Sequence, residues 1–174
     1  MDKANILQTM MTLDGFYTFL TVMTAIAAVV FVVLFFVDAG YGKFLNPKFG
    51  PTIPNRIGWV LMECPVFIAM TIVWLLSERT WEVMPLVFFV IFQTHYFQRS
   101  FIFPMLIRGN GRIPISIMLM GATFNTLNAL MQGGWIFHFG AMVNPAMYEV
   151  SWLWSWQFIV GTLMWAAGFF VNLQ

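Results

Sequence analysis

Charge is what this sequence has least of. Eight Lys and Arg and seven Asp and Glu make up 9% of its 174 residues, against roughly 25% in an average soluble domain. Hydrophobic residues account for 60% and aromatics for 18%. A soluble fold of this length cannot hide so much apolar surface, because small domains leave a large share of their residues at the water boundary. An ordinary soluble enzyme is excluded. So is a disordered chain, which needs the opposite balance. The net charge of +1 supplies no global attraction to nucleic acid. The single cysteine, Cys64, excludes an internal disulfide and any cysteine-based metal cluster. No Asn-x-Ser/Thr sequon occurs, so glycosylation gives no hint of sidedness.

What is present instead is a series of apolar runs. The stretch Met1–Gly15 is polar and amphipathic, and Phe16–Val37 follows with 22 residues and no charge. That is too long for a signal-peptide core and long enough to cross a bilayer. Five spans can be read in all: 16–37, 57–76, about 83–97, about 113–137 and about 152–171. A helix needs roughly 20 residues to cross hydrocarbon, so the third is short. The runs lack the alternation of a barrel, which leaves helices as the structure that satisfies backbone polar groups in lipid. The fold class expected is an all-α integral membrane bundle forming one membrane domain over residues 1–174. No internal repeat is visible, so an inverted-repeat transporter has no support.

The cations set an orientation. Lys3 lies before the first span, and Lys43, Lys48 and Arg56 lie in the first loop. Arg79 is alone in the second loop, Arg99, Arg108 and Arg112 belong to the third, and the fourth has none. This alternation places the first and third loops in the cytosol and the N-terminus outside. The fifth span stops almost at Gln174, which suggests a piece of a longer membrane protein.

Fourteen of the fifteen charges sit in loops or at span ends, and the exception is Glu63. It lies about seven residues into the second span, roughly 10 Å deep at about 1.5 Å per residue. A carboxylate there is costly unless paired or protonated, and is a functional candidate for that reason. The plain alternative is a buried acid tied to a neighbouring Arg. Pro65, two residues on, is expected to bend the helix. Near the same depth, Gln93, Tyr96 and Arg99 share one face of the third span at i, i+3 spacing. Tyr96 reads equally well as an interfacial aromatic. His95 reads as a packing residue, since it has no partner at metal spacing. Asn125, Asn128 and Gln132 form a polar stripe on the fourth span, read either as interhelical hydrogen-bond glue or as the wall of a polar-ended cavity. Phe124 beside it can line an apolar substrate. The run Arg108-Gly109-Asn110-Gly111-Arg112 can grip phosphates, although Arg-rich cytosolic loops are common. No G-x-G-x-x-G occurs, so a Rossmann site is not indicated. Glu63, Tyr96, Asn172 and the two basic loops fall on one side. That suits a lipid-soluble carbonyl compound and an anionic cytosolic cofactor.

These residues carry a resemblance. Gly40-Tyr41-Gly42-Lys43, then Ile53-Pro54-x-Arg56 and Glu63-x-Pro65, resemble the first loop and second helix of the steroid 5α-reductases. His95-Tyr96-Phe97-Gln98-Arg99-Ser100-Phe101-Ile102-Phe103-Pro104 with Arg108-Gly109 is similar to their third-helix signature. Phe124-Asn125-x-x-Asn128-x-x-x-Gln132 is similar to their fourth helix, and Gly168-x-x-x-Asn172 to the start of a later cofactor-binding stretch. The resemblance runs from about residue 40 to the end. It implies a seven-helix membrane fold holding NADPH, of which this chain carries the first five helices and lacks the C-terminal part.

The resemblance also implies roles. Glu63 and Tyr96 match the acid and tyrosine that hold the 3-keto oxygen of a Δ4-3-oxosteroid, Asn172 a cofactor-contacting Asn, and Arg108 and Arg112 contacts to the NADPH phosphates. Phe124 would line the substrate. The implied reaction is reduction of the Δ4 double bond to a 5α-dihydrosteroid. No metal, no nucleic acid and a monomer are expected. The expected location is the endoplasmic reticulum in a eukaryote or the cytoplasmic membrane in a bacterium. Met62 where the family often has Gln, Gln98 for a common His or Tyr, a longer third loop, and Met120 where an Arg can occur all bear on substrate preference. Two alternatives stand beside this: a reductase of another lipid enone or a polyprenol in the same superfamily, and a non-enzymatic transporter or subunit that uses Glu63 for ion handling.

Overall fold

The computed structural model describes residues 12–37 and 45–173. Lys3, the Gly40-Tyr41-Gly42-Lys43 motif and Gln174 lie outside the described residues. The first helix, α1, is Leu13–Val33. The Thr12 hydroxyl caps it by accepting from the Gly15 N–H at 3.1 Å, which satisfies one of the orphan donors of a helix start. Helix α2 is Asn55–Leu76 and α3 is Val83–Phe97. Helix α5 is Ile115–Gly134 and α7 is Trp156–Asn172. Short helices α4, Phe103–Leu106, and α6, Gly140–Val143, extend α3 and α5. The five long helices lie on the five apolar runs. Two of them, α1 and α2, are long and apolar enough by length and composition to cross a membrane.

The apolar pattern ends the third run at Phe97. Instead, the helical path continues through one π-helical turn, Gln98–Ile102, into α4. Pro104 favours this widening. It has no N–H for the Ser100 carbonyl, and its ring crowds that carbonyl. The chain widens by one residue, and the Phe103 N–H bonds the Gln98 carbonyl, the i, i+5 spacing of a π-turn. Arg99 and Ser100 sit on this turn.

A two-stranded ribbon not foreseen in the sequence joins the first and third loops. Strand β1, Thr52–Pro54, pairs antiparallel with β2, Arg112–Pro114, with Ile53 opposite Ile113. Both strands place Ile before Pro, and a residue before proline is pushed to extended backbone. Each strand then passes directly into a helix. The Asn55 N–H bonds the Gly111 carbonyl and the Ile115 N–H bonds the Pro51 carbonyl, each at 2.9 Å. The ribbon thus satisfies helix-start donors that no side chain caps, and it holds the N-termini of α2 and α5 side by side. These two helices make the most extensive helix pair. Gly121 and Gly133 allow the approach: a Cβ at Gly121 would run into Met62, and one at Gly133 would meet Met70 and Val73.

The core is Val66, Met70, Val73, Ala129 and Phe137, flanked by Trp74, Phe89, Phe92 and Tyr96. Glu63, Val66, Met70 and Val73 form one buried stripe of α2, so the helix repeat itself carries Glu63 inward. Helix α2 runs on through Pro65 without a break. By contrast α7 fully buries none of its side chains, and α1 buries only Phe16 and Met23. Their remaining apolar faces are exposed, the arrangement of a helical membrane protein. At the end away from the ribbon, the Ser77 hydroxyl donates to the Phe137 carbonyl at 3.0 Å and Arg79 lies over the Tyr148 ring at 4.2 Å.

Candidate active site

Three helices contribute to one buried polar cluster. Glu63 of α2 is 3% exposed. Its Oε1 accepts from Arg99 Nε at 2.9 Å, and its Oε2 accepts from Asn125 Nδ2 at 3.1 Å. The same Asn125 amide also donates to the Met62 carbonyl at 2.8 Å. Arg99 rests over the Trp59 ring at 5.0 Å. One helical turn along α5, Asn128 Nδ2 donates to the Tyr96 hydroxyl at 2.9 Å. Tyr96 in turn packs on Phe92, with ring centroids 4.6 Å apart. No bond donated by the Tyr96 hydroxyl is present among the described residues, so its O–H is free for a ligand.

The cluster follows from helix geometry. Tyr96 and Arg99 sit three residues apart on one face, as do Asn125 and Asn128 on the facing helix, so each acceptor on α2 or α3 meets its own amide. Gln93, one turn before Tyr96, donates to Thr71 Oγ1 at 2.7 Å and to the Phe67 carbonyl at 3.2 Å. This ties α3 to α2 further from the ribbon. The Asn stripe therefore binds helices together, while Gln132 at its far end is exposed. In the sequence Arg99 is only part of a face, and Asn125 and Asn128 are only a stripe. The signal that pairs them with Glu63 and Tyr96 is their common depth.

The other expected site residues lie apart from this cluster. Phe124 is 53% exposed. Asn172 is exposed and donates to the Gly168 carbonyl of its own helix at 2.8 Å. Its helix does reach α3, where Phe169 meets His95 at 6.2 Å between ring centroids. Arg112 lies at the ribbon, with Nε bonded to Thr52 Oγ1 at 2.7 Å and Nη2 to the Thr52 carbonyl at 2.6 Å. Arg56 is likewise held by the Ile107 carbonyl through Nε and Nη2, at 3.0 and 2.8 Å. Both line a polar cleft of about 420 Å³ with Asn55, Asn110 and Gly111. Arg108, next to it, is exposed. Gly109 between them has φ +84°, a left-handed conformation that glycine adopts without strain. Clustered guanidinium and amide donors at a flexible turn fit an anionic phosphate by their chemistry.

Known proteins are similar to this sequence. The family model described as 3-oxo-5-alpha-steroid 4-dehydrogenase matches residues 111–174. The chain is 28% identical over 148 residues to steroid 5-alpha-reductase DET2 of Arabidopsis thaliana, covering 82% of this chain and 55% of that protein. It is 29% identical over 163 residues to the DET2 protein of Gossypium hirsutum, covering 91% and 61%. Against 3-oxo-5-alpha-steroid 4-dehydrogenase 1 of Mus musculus it is 28% identical over 181 residues, covering 100% and 63%. The chain is similar in sequence to proteins named steroid 5-alpha-reductase. It spans between half and two thirds of the length of these relatives. Arg112, Phe124, Asn125, Asn128 and Asn172 fall inside the stretch matched by the family model. Glu63, Tyr96 and Arg99 fall outside it.

Proposed function

We propose that this protein works in the reduction of the Δ4 double bond of 3-oxosteroids, of the testosterone or progesterone type, to 5α-dihydrosteroids with NADPH. The observation that carries this reading is the Tyr96 hydroxyl: fixed by Asn128, free to donate, and adjacent to a buried Glu63–Arg99 pair. When bound, NADPH supplies the hydride that adds to the β-carbon of the enone. Negative charge then builds on the ketone oxygen and is discharged when the α-carbon takes a proton from solvent. Donors held in a dry site stabilise that charge without having to reorganise as it forms, and electrostatic help of this kind dominates the rate enhancement of many enzymes. Tyr96 and Glu63, with the groups around it, hold the oxygen end, and Phe124 on the same helix as the two Asn residues lines the steroid. Arg108 and Arg112 at the ribbon cleft, with Asn172 at the end of α7, hold the cofactor.

In this reading all five long helices cross the membrane. The ribbon and its arginines face the cytosol, as the alternation of cations favours, and the N-terminus faces out. The dry stripe of Val66, Met70 and Val73 beyond Glu63 supports a closed pocket rather than an ion path. That weighs against the transporter reading. A relative acting on another lipid enone uses the same chemistry and differs in substrate preference, on which the departures at Met62 and Met120 bear; a polyprenol is an allylic alcohol and offers no ketone oxygen to take up the charge. The test is NADPH oxidation by the whole protein in detergent, driven by a 4-ene-3-oxosteroid and compared with another lipid enone. No oxidation with any enone would end the proposal.

A further inference from the structure

One amide of α5 is committed in a way that fixes the buried acid. Asn125 is 8% exposed, and its Nδ2 donates both to the Met62 carbonyl at 2.8 Å and to Glu63 Oε2 at 3.1 Å. An amide nitrogen carries two N–H groups, so both are engaged. A main-chain carbonyl can only accept, so the Met62 carbonyl requires the nitrogen, not the oxygen, on this side of the amide. The donor that meets Glu63 is therefore set by the backbone of the helix that carries Glu63. It stays a donor whether or not the carboxyl holds a proton. Arg99 holds the other oxygen, Oε1, through Nε, and a single bond leaves a carboxyl free to turn about it. Bonds to both oxygens do not. Together they fix the carboxyl plane, and they leave the remaining lone-pair positions for a proton that Glu63 presents to a ligand. The close approach of α5 to α2 at Gly121 and Met62, one turn before Asn125, brings the amide within reach. Asn128, three residues on, meets the Tyr96 hydroxyl from the same face.

We propose that Asn125 is a positioning residue for the reduction. It aims the Glu63 carboxyl at the ketone oxygen as Asn128 aims the Tyr96 hydroxyl, so one face of α5 sets the spacing of the two groups that hold that oxygen. This rests on the enone-reductase reading and adds a residue to it. The consequence is that the effect of Asn125 on turnover passes through Glu63 and not through Tyr96.

The test is a double-mutant cycle on the whole protein in detergent, reading the dihydrosteroid formed from NADPH and a 4-ene-3-oxosteroid. Thermal unfolding confirms that each variant folds. Asn125→Leu keeps the volume and removes the donor, and Asn125→Ala takes its place if the leucine variant does not fold. Misplacing a reacting group by about 1 Å costs up to roughly 10²-fold, so kcat should fall by about ten- to a hundredfold while KM for the steroid stays near wild type. The same change made on Glu63→Met, a background of similar volume without the carboxyl, should cost less than about twofold. Glu63→Ala is the second such background if Glu63→Met does not fold. Made on Tyr96→Phe, the change should cost its full factor. An equal loss in wild type and in the Glu63 background means that the amide only holds α5 to α2, and the proposal is wrong while the enone reading stands. A wild-type rate in Asn125→Leu has the same meaning. A wild type that forms no dihydro product from any enone overturns the enone reading and the assignment with it.

Discussion

Replacing Tyr96 by Phe removes one oxygen and leaves the ring on Phe92. In the ground state the phenol makes a single interhelical bond among the described residues, from Asn128 at 2.9 Å. A bond of this kind contributes about 0.5–1.5 kcal/mol to stability, so Tyr96→Phe should fold and melt within a few degrees of wild type. A hydroxyl that also donates to developing negative charge does far more in the transition state, about 2.7–4 kcal/mol, or roughly 10²–10³ in kcat. The two magnitudes are separable by measuring thermal unfolding and NADPH turnover on the same preparation. Asn128→Leu is the control. It removes the same ground-state bond but keeps the phenol, so its turnover should fall by less than about tenfold, the effect of a less well-aimed donor. If Asn128→Leu loses as much turnover as Tyr96→Phe, the hydroxyl acts only in holding α3 to α5, and the reasoning fails.

Two further outcomes follow from other parts of the molecule. A Cβ at Gly58 would collide with the side chain of Ile113 on β2, so Gly58→Ala should destabilise by about 1–3 kcal/mol, and the double variant with Ile113→Ala should regain part of that in thermal unfolding. Burial raises the Tyr148 phenol from 10.0 to about 12, partly opposed by Arg79 across its ring. A raised phenol favours the fold below its unfolded value, and that contribution is lost as pH climbs from about 10 to about 12. Stability measured over that window should therefore fall more steeply in wild type than in Tyr148→Phe.

The helices were legible because the apolar runs, apart from Glu63, are free of charge; α2, which carries Glu63, begins two residues before the run read from the sequence. The ribbon was not, because three-residue strands carry no alternation. Its signal was subtler, two Ile-Pro pairs each directly before a helix. The continuation of α3 past Phe97 was hidden by polar residues that normally mark a helix end; Pro104, four residues after the Ser100 carbonyl, favours the widened turn there. Within the site, the depth of Glu63 and the Gln93, Tyr96, Arg99 row were readable from helical spacing. The pairing of Glu63 with Arg99, 36 residues on, enters the sequence reading only as a plain alternative, since no local pattern ties one helix to another. Phe124, read from its place beside the Asn stripe, and Asn172, given its role by resemblance, lie at exposed positions outside the polar cluster.

The central claim is that the cluster around Tyr96 and Glu63 serves enone reduction. The most direct test is product analysis after incubating the whole protein with NADPH and testosterone or progesterone, for wild type, Tyr96→Phe and Glu63→Gln. The account predicts 5α-dihydro product from wild type, with the rate lowered in both variants and most in Tyr96→Phe. Dihydro product formed at the wild-type rate by both variants, or no enone-dependent NADPH oxidation by wild type, would contradict it.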